Sequence, residues 1–212
     1  MDILIRREEK NDFREVEELT REAFWNIHFP GCSEHLLIHT LRDREEFIKE
    51  LDFVATLDNK IVGNIVYARA KVVDDSGGEH NVITFGPVSV LPEYQNRGIG
   101  GKLIEHTKAI ARSMGFNAII ITGDPEYYKR VGFVAAEVYD IRNSDGMFAA
   151  YLQLCELYDG AMKGISGRFY EGEAYSVDEN QCEEFDKTFP YKEKAVIACQ
   201  ARFLELTKQI HE

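Results

Sequence analysis

The amino-acid sequence has no apolar run near the roughly 20 residues that are needed to cross a bilayer as a helix. Its densest apolar segment is only the short run around Ile119, Ile120 and Ile121. The first eleven residues also lack the apolar core of a signal peptide, because three apolar side chains are followed by the charged run 6–10. These absences predict a protein of the cytoplasm that does not act at a membrane.

Cysteine is scarce and unpaired in the sequence. The four cysteines lie far apart and form no CxxC pair; they are Cys32, Cys155, Cys182 and Cys199. Such spacing is typical of ordinary thiols in a reducing compartment and not of a disulfide framework or a zinc site.

Basic residues are outnumbered by acidic ones. The 212 residues include 25 Lys and Arg against 37 Asp and Glu, so the formal net charge is −12 at pH 7. A duplex DNA or RNA binder needs a basic face, as does a protein that binds an anionic membrane surface. The charge therefore argues against nucleic acid and membrane partners, and it is compatible with a cationic or neutral one.

Hydrophobic periodicity predicts an alternating α/β chain. The expected elements, in order, are a strand at 3–5, a helix at 13–24, a helix after Ser33, an antiparallel hairpin of 51–57 and 61–73, a strand at 82–90, a helix at 98–114, a strand at 118–121, a short helix opened by Asp124 and Pro125, strands at 133–138 and 147–157, and a closing helix from about Lys192.

The composition of the sequence changes after Tyr158, where a loop-rich stretch with several glycines precedes the closing helix. We therefore expect a domain at 1–157 and a C-terminal extension at 158–212 that packs on it. The closing helix has apolar residues at a three, four, three, four spacing: Val196, Cys199, Phe203, Leu206 and Ile210. A coiled-coil seam that forms a homodimer is one interpretation, and packing on the protein's own sheet is the favoured one.

A glycine-rich turn between the strand at 82–90 and the helix at 98–114 is the most informative segment. The first N–H groups of a helix lack intrahelical partners and carry the positive end of the helix dipole, so they bind phosphate where glycines permit close approach. Arg97 and Lys102 add positive charge. The segment matches neither the dinucleotide-binding motif GxGxxG nor the P-loop motif GxxxxGK[ST]. Leu103 stands where the first motif needs Gly and where the second needs Ser or Thr. A tight turn without a ligand is the alternative.

Gly86-Pro87 lies inside the strand that precedes this turn. Proline removes a ladder donor and is tolerated in strands only at edges or bulges. A bulge would separate the strand from its neighbour and leave backbone groups of Val88, Ser89 and Val90 unpaired. An extended ligand arm that carries amides could pair with them as an added strand. Phosphates on a turn joined to an amide-bearing arm describe coenzyme A.

Two motifs resemble those of the GNAT superfamily of N-acetyltransferases. Residues 95–100, QNRGIG, resemble its Q/R-x-x-G-x-G/A acyl-CoA signature, and residues 128–133, YKRVGF, are similar to its Y-x-x-x-G-F segment. The resemblance covers about 1–157. It implies a mixed, mostly antiparallel sheet with a bulged, splayed strand and flanking helices. It also implies acetyl-CoA binding by Val88, Ser89, Val90, Gln95, Asn96, Arg97, Gly98, Ile99, Gly100, Gly101 and Lys102.

The activity implied by the resemblance is direct transfer of acetyl from acetyl-CoA to a primary amine of a small molecule or a protein, within a ternary complex. Tyr128 occupies the family's general-acid position, and a tyrosine with a pKa of about 10 holds its proton at neutral pH. A tyrosine that only packs in the core is the alternative. A backbone N–H near Val90 is the family-like group for polarising the thioester carbonyl. Glu79, His80 and Glu93 are weak candidates for the general base, and a base acting through water would leave no mark in the sequence.

Other chemistries have less support. Cys155 shows no paired histidine, so a covalent mechanism is not indicated. His35 and His39 lie four apart but lack an HExxH pattern, so we expect no metal site. Residues of the first two helices and their connection are weak candidates for acceptor recognition: Phe24, Trp25, His28, Phe29, His35 and His39. A non-catalytic acyl-CoA binding or sensing module is the main alternative function.

Overall fold

A computed structural model describes residues 2–212 and confirms the predicted mixed α/β architecture. Met1, the first residue of the predicted domain at 1–157, lies outside the described residues. The strands are β1 (Leu4–Arg7), β2 (Phe53–Leu57), β3 (Lys60–Val73), β4 (Glu79–Val90), β5 (Ala118–Thr122), β6 (Val134–Ala135), β7 (Ile141–Arg142), β8 (Phe148–Ala149), β9 (Leu152–Glu156), β10 (Gly167–Tyr170) and β11 (Ile210–His211). The helices are α1 (Phe13–Phe24), α2 (Glu34–Leu41), α3 (Ile99–Ser113), α4 (Pro125–Tyr128), α5 (Glu179–Asp186) and α6 (Ala198–Thr207). Within residues 2–212, no helix has the length and apolar character that spanning a bilayer requires.

Nine of the described strands form one sheet, in the order β1-β2-β3-β4-β5-β9-β6, with β10 on the far end of β3 and β7 beside β10. The pairs β1–β2, β2–β3, β3–β4, β5–β9 and β6–β9 are antiparallel, and β4–β5 and β7–β10 are parallel. The predicted mostly antiparallel sheet is therefore confirmed.

Different helices cover the two faces of this sheet, because successive side chains of β3 point to opposite faces. Ile65 and Tyr67 pack in one apolar cluster with residues of α3, and the Tyr67 hydroxyl lies 2.7 Å from Thr107 Oγ1 on that helix. Val66 and Ala68 pack in another cluster with residues of α1. The long hairpin of β3 and β4 is thus covered on both sides and fixes where the ends of α1 and α3 lie.

β4 carries the predicted bulge, and beyond it the strand separates from β5. The register against β3 shifts between Val88, which pairs with Ile65, and Phe85, which pairs with Tyr67. The peptide bond Gly86-Pro87 between them is cis. In the described chain, the register between β4 and β5 consists of one pair, Ile83 with Ile119. β4 therefore has a free side along its last residues.

Only part of the β4 backbone beyond the bulge is free, which corrects the expectation for Ser89. Leu91 N–H donates to the Val62 carbonyl of β3 at 3.0 Å. In an antiparallel ladder the pairs alternate, so Ser89 bonds to β3 as well, while Val88 and Val90 direct their backbone groups away from β3. The Ser89 side chain is buried and its hydroxyl donates to Thr20 Oγ1 at 3.2 Å.

The C-terminal residues contribute more regular structure than the sequence predicted. β10 pairs with the end of β3, α5 was not expected, and α6 begins at Ala198 and not near Lys192. The later start has a tertiary cause, because the Trp25 indole N–H donates to the Glu193 carbonyl at 2.8 Å and the Asn26 side chain accepts from Ala195 N–H at 3.0 Å. These bonds hold the chain extended before the helix.

Two further sequence expectations need correction. The strand expected at 133–138 is only β6, since Ala136–Tyr139 form a 3-10 turn that ends at Asp140 with a φ of 54°. The apolar series in the closing helix is not one helical seam, because Val196 precedes α6 and Ile210 lies in β11, which pairs with β8.

Candidate active site

A cavity of about 900 Å³ opens along the free side of β4. Its lining falls into two groups. The turn side consists of the ends of β4 and β5, the glycine-rich turn and the region of α4: Val88, Val90, Tyr94, Gln95, Asn96, Gly98, Ile99, Gly100, Gly101, Thr122, Gly123, Asp124, Tyr127, Tyr128, Arg130 and Val131. The helix side consists of residues from α1, α2, the bulge region and the segment after β10: Ala23, Phe24, Ile27, His28, Glu34, Leu37, Thr84, Phe85, Gly86, Pro87, Glu171 and Tyr175.

The free strand edge forms part of the cavity wall. Val88 and Val90 line the cavity, in agreement with the direction of their backbone groups. The Val90 carbonyl accepts a hydrogen bond from Gln95 Nε2 at 3.0 Å, so this acceptor is already satisfied by the protein. The N–H groups of Val88 and Val90 and the Val88 carbonyl are the groups that an extended ligand could meet.

The start of α3 is open to the same cavity. Gly98 is its N-cap with a φ of 79°, a left-handed conformation that favours glycine. A Cβ on Gly100 would lie 2.6 Å from the Tyr127 hydroxyl and 3.8 Å from the Val90 side chain, so the missing side chain leaves backbone accessible. The first turn of this 15-residue helix contains no acidic side chain that would cancel the positive end of its dipole. A phosphate fits such a site.

Three of the predicted cofactor residues lie outside the cavity lining within residues 2–212: Ser89, Arg97 and Lys102. The Arg97 guanidinium donates to the Glu93 carbonyl at 2.8 Å and lies over the Tyr94 ring. Lys102 is exposed in the first turn of α3. The roles of Arg97 and Lys102 in binding stay predictions that rest on long-range charge, whereas the glycines of the turn line the cavity directly.

Tyr128 lies in the cavity wall among aromatic rings. Asp124 caps α4 by accepting a hydrogen bond from Glu126 N–H at 2.9 Å, and Pro125 is the first helical residue, as the sequence predicted. A Cβ on Gly123 would lie 2.1 Å from the Tyr128 ring, so the ring needs glycine at that position. Burial raises the pKa of Tyr128 above its usual value, which keeps the hydroxyl protonated.

Tyr127, the residue before Tyr128 on α4, also lines the cavity. The two rings lie 4.9 Å apart and nearly perpendicular, and the Tyr127 hydroxyl reaches toward Gly100. The short α4 ends immediately after Tyr128, so both rings reach the cavity from its last turn.

A model of the Acetyltransferase (GNAT) family matches residues 13–133, which is more than half of the sequence. The chain belongs to this family. The matched region contains the bulged β4, the glycine-rich turn and Tyr128, so the GNAT signature and the cavity described above coincide.

Relatives of this GNAT protein are found in bacteria. The uncharacterized N-acetyltransferase YhbS of Escherichia coli K12 is 28% identical over 166 residues, which cover 78% of this chain and 93% of YhbS. A crystal structure of Escherichia coli YhbS in complex with CoA has a TM-score of 0.70 at 25% identity and covers 82% of this chain and 91% of that chain. A GNAT acetyltransferase from Brucella melitensis in complex with acetyl-CoA has a TM-score of 0.65 at 28% identity and covers 82% of this chain and 99% of that one.

The three acid or base residues named from the sequence lie away from the cavity of this GNAT fold. Within residues 2–212 the lining includes none of them. Glu79 pairs with Lys71 at 2.5 Å, His80 with Asp74 at 2.9 Å, and Glu93 with Lys60 at 3.1 Å. These ion pairs are typical of surface turns, so the structure gives no geometric support to any of the three as a base.

Of the six candidates for acceptor recognition, two line the cavity: Phe24 and His28. His28 Nδ1 lies 3.0 Å from Glu34 Oε1. His35 is buried between Cys32 and Asp186, and burial lowers its pKa to about 4. Its role is therefore packing, whereas His28 faces the space where an acceptor would enter.

Sequence reasoning missed Glu171 and Tyr175, which lie in the extension after β10 and line the cavity. No motif marks them. Residues 167–170, with the sequence GRFY, form β10 and place the residues that follow at the cavity. The last helix also borders the opening, because Phe203 stacks on His28 with ring centroids 4.4 Å apart and Arg202 pairs with Asp124 at 2.6 Å.

Proposed function

We propose that the protein transfers an acetyl group from acetyl-CoA to a primary amine by direct transfer in a ternary complex. The observation that carries this proposal is one cavity that joins a free strand edge, an uncompensated helix N-terminus and the hydroxyl of the partly buried Tyr128. The relatives from Escherichia coli and Brucella melitensis, which were crystallised with CoA and acetyl-CoA, support the same cofactor.

The residues divide the binding of acetyl-CoA between two elements. Backbone N–H groups at the start of α3, exposed by Gly98 and Gly100, would hold the pyrophosphate. The Val88 N–H and carbonyl would pair with the amides of the pantetheine arm in the manner of an added strand. The Val90 N–H, which points away from β3, would polarise the thioester carbonyl, while the Val90 carbonyl is already paired with Gln95.

Tyr128 would supply the proton that the leaving thiolate needs. Its raised pKa keeps it a proton donor at neutral pH, and general acid catalysis by a positioned group contributes about 10²- to 10⁴-fold. The aromatic neighbours Phe85 and Phe133 hold the ring in place.

We propose that the domain at 1–157 performs this reaction together with the extension at 158–212, which provides part of the cavity wall. The acceptor is a small-molecule or protein amine, and no described feature of the structure favours the non-catalytic alternative over transfer.

The proposal is tested with the purified protein by calorimetric titration of acetyl-CoA, followed by measurement of free thiol and of acetylated product by mass spectrometry with a panel of amines. We expect saturable binding at one site and amine-dependent thiol release. Binding without thiol release for any amine would identify an acyl-CoA binding module, and absence of binding would overturn the cofactor assignment.

A further inference from the structure

The chain segments immediately before and after Glu171 fix its position. The preceding strand β10 pairs antiparallel with β3, with Tyr170 opposite Lys71. The following residues turn at Gly172, which has a φ of 80°, into the 3-10 turn Glu173–Tyr175. Ala174 in this turn is 2% exposed and packs in the cluster beneath α1. The segment that carries Glu171 is therefore anchored to the sheet and to the core.

This segment meets the cavity at the bulge of β4. Glu171 and Tyr175 line the same cavity as Tyr128. A Cβ built on Gly86 would lie 3.5 Å from the Tyr175 ring, so the ring covers the backbone at the point where β4 leaves β5. The Tyr175 hydroxyl is buried beside the Thr84 side chain of β4.

Glu171 differs from the other carboxylates that line the cavity. Glu34 accepts hydrogen bonds from Ser33 N–H and faces His28, and Asp124 caps α4 and pairs with Arg202. Glu171 has no hydrogen bond or ion pair in the described chain. The ionisable groups that share the cavity are His28, Glu34, Tyr94, Asp124, Tyr127, Tyr128, Arg130 and Tyr175. A carboxylate without a protein partner on a cavity wall is free to bind a cation from outside.

The surroundings of Glu171 suit a base. The side chain is open to solvent through the cavity, yet the protein around it partly shields the carboxyl from water and raises its pKa. A carboxylate with a raised pKa is a stronger base, and the ammonium group that it binds offsets the cost of its desolvation.

We propose that Glu171 binds the ammonium group of the acceptor and accepts its proton, so that the C-terminal extension supplies the general base. This inference rests on the proposed function. The same wall also indicates the acceptor's chemistry, because Phe24, Ile27 and Leu37 line it and α2 contacts the 3-10 turn that carries Tyr175. The acceptor is a primary amine on a short apolar body.

The proton balance of the transfer closes with these two residues. Glu171 takes one proton from the bound ammonium group, which leaves a neutral amine with a free electron pair. The amine nitrogen forms the bond to the thioester carbonyl carbon, and the carbon–sulfur bond breaks when the tetrahedral species collapses. The Tyr128 hydroxyl gives its proton to the departing thiolate and regains one from the new amide nitrogen. Glu171 releases its proton to water.

The test compares Glu171→Gln with the matched variant Glu173→Gln, which removes an exposed carboxylate two residues away and outside the cavity lining. Calorimetry on protein saturated with CoA uses 2-phenylethylamine as the probe. We expect saturable binding to the unchanged protein, at least tenfold weaker binding to Glu171→Gln, and affinity within twofold for Glu173→Gln. Failure of the unchanged protein to bind the probe, or equal binding by Glu171→Gln, would overturn the inference.

A pH profile of acetylation separates a base from a merely structural residue. The kcat/KM of Glu171→Gln should fall about 100-fold at pH 7, and the deficit should shrink as the pH rises toward the pKa of the amine, because the acceptor then arrives neutral. A deficit independent of pH contradicts proton transfer by Glu171. Normal CoA binding by both variants shows that such a failure concerns the acceptor side, whereas loss of CoA binding by the unchanged protein would overturn the proposed function itself.

Discussion

The proton donor that we propose for acetyl transfer is a single group, the Tyr128 hydroxyl. Replacing Tyr128 by Phe keeps the ring against Phe85 and Phe133 but removes the proton donor. We expect kcat for acetyl transfer to fall by about 10²-fold or more, with acetyl-CoA affinity and melting temperature nearly unchanged. Steady-state kinetics and calorimetry measure these quantities.

The matched control for this prediction is Tyr191→Phe, since Tyr191 is 93% exposed and lies outside the cavity lining. Its kinetics should equal those of the unchanged protein. If Tyr128→Phe retains full turnover, the hydroxyl is not the proton donor and the ring serves only in packing.

At the level of single residues, the sequence predicted those site residues that belong to a local motif. Tyr128 and Gly98 stand in short patterns whose geometry is set by a few neighbours, and both line the cavity. Glu171 could not be predicted, because it reaches the cavity through the pairing of β10 with β3, which lie far apart in the sequence. Ser89 was misplaced because the alternation of the β3–β4 ladder, and not the bulge alone, decides which backbone groups are free.

The glycine-rich turn acts as an element, because its glycines together keep the start of α3 open. Gly100→Leu would place a side chain where a Cβ already lies 2.6 Å from the Tyr127 hydroxyl and would fill the space above the helix N-terminus. We expect acetyl-CoA affinity to fall at least tenfold, equivalent to about 1.4 kcal/mol or more of binding free energy. Calorimetric titration measures the change.

The control for this element is Ala109→Leu, which adds a similar volume to an exposed position of the same helix away from the cavity. It should bind acetyl-CoA normally. Unchanged affinity in Gly100→Leu, with the fold intact by circular dichroism, would rule out the helix N-terminus as the phosphate site.

Elements whose ends are set by local chemistry were predicted well. α3 begins after Gly98 and α4 begins with Asp124 as its cap, both as the sequence indicated. The beginning of α6 was not predictable in the same way, because bonds from Trp25 and Asn26 keep residues 193–195 extended. Helix propensity does not report such tertiary contacts.

At the scale of the whole molecule, a buried carboxyl pair links the first strand to the sheet and couples stability to pH. Asp52 is buried beside Glu8, and Arg42 donates to Glu8 at 2.6 Å. Burial, and after it the neighbouring Glu8, raise the pKa of Asp52 well above its usual value. The folded protein therefore holds a proton on Asp52 that the unfolded chain releases above pH 4.

The raised pKa predicts that the free energy of unfolding decreases as the pH rises above about 4, the usual pKa of an aspartate, since the unfolded state then binds fewer protons than the folded one. Asp52→Asn keeps a neutral hydrogen-bond donor beside Glu8 and removes this titration. We expect the stability of the variant relative to the unchanged protein to rise with pH above about 4, by up to about 1.4 kcal/mol per pH unit while Asp52 stays protonated in the folded state. Urea denaturation at a series of pH values measures it.

The control is Asp43→Asn, an exposed carboxylate that loses the same formal charge. It should shift stability by the same small amount at every pH. Parallel pH curves for Asp52→Asn and the unchanged protein would contradict a protonated Asp52 in the folded state.

The free edge of β4 has a consequence for which ligands the molecule admits. An unpaired strand edge on a protein surface is a template on which a second chain can add, and proteins generally cover such edges. Here the edge lies inside the sheet, and α1, the start of α3, α4 and the segment after β10 surround it. That enclosure protects the edge from the strands of other proteins and leaves it accessible only to a ligand that enters the cavity.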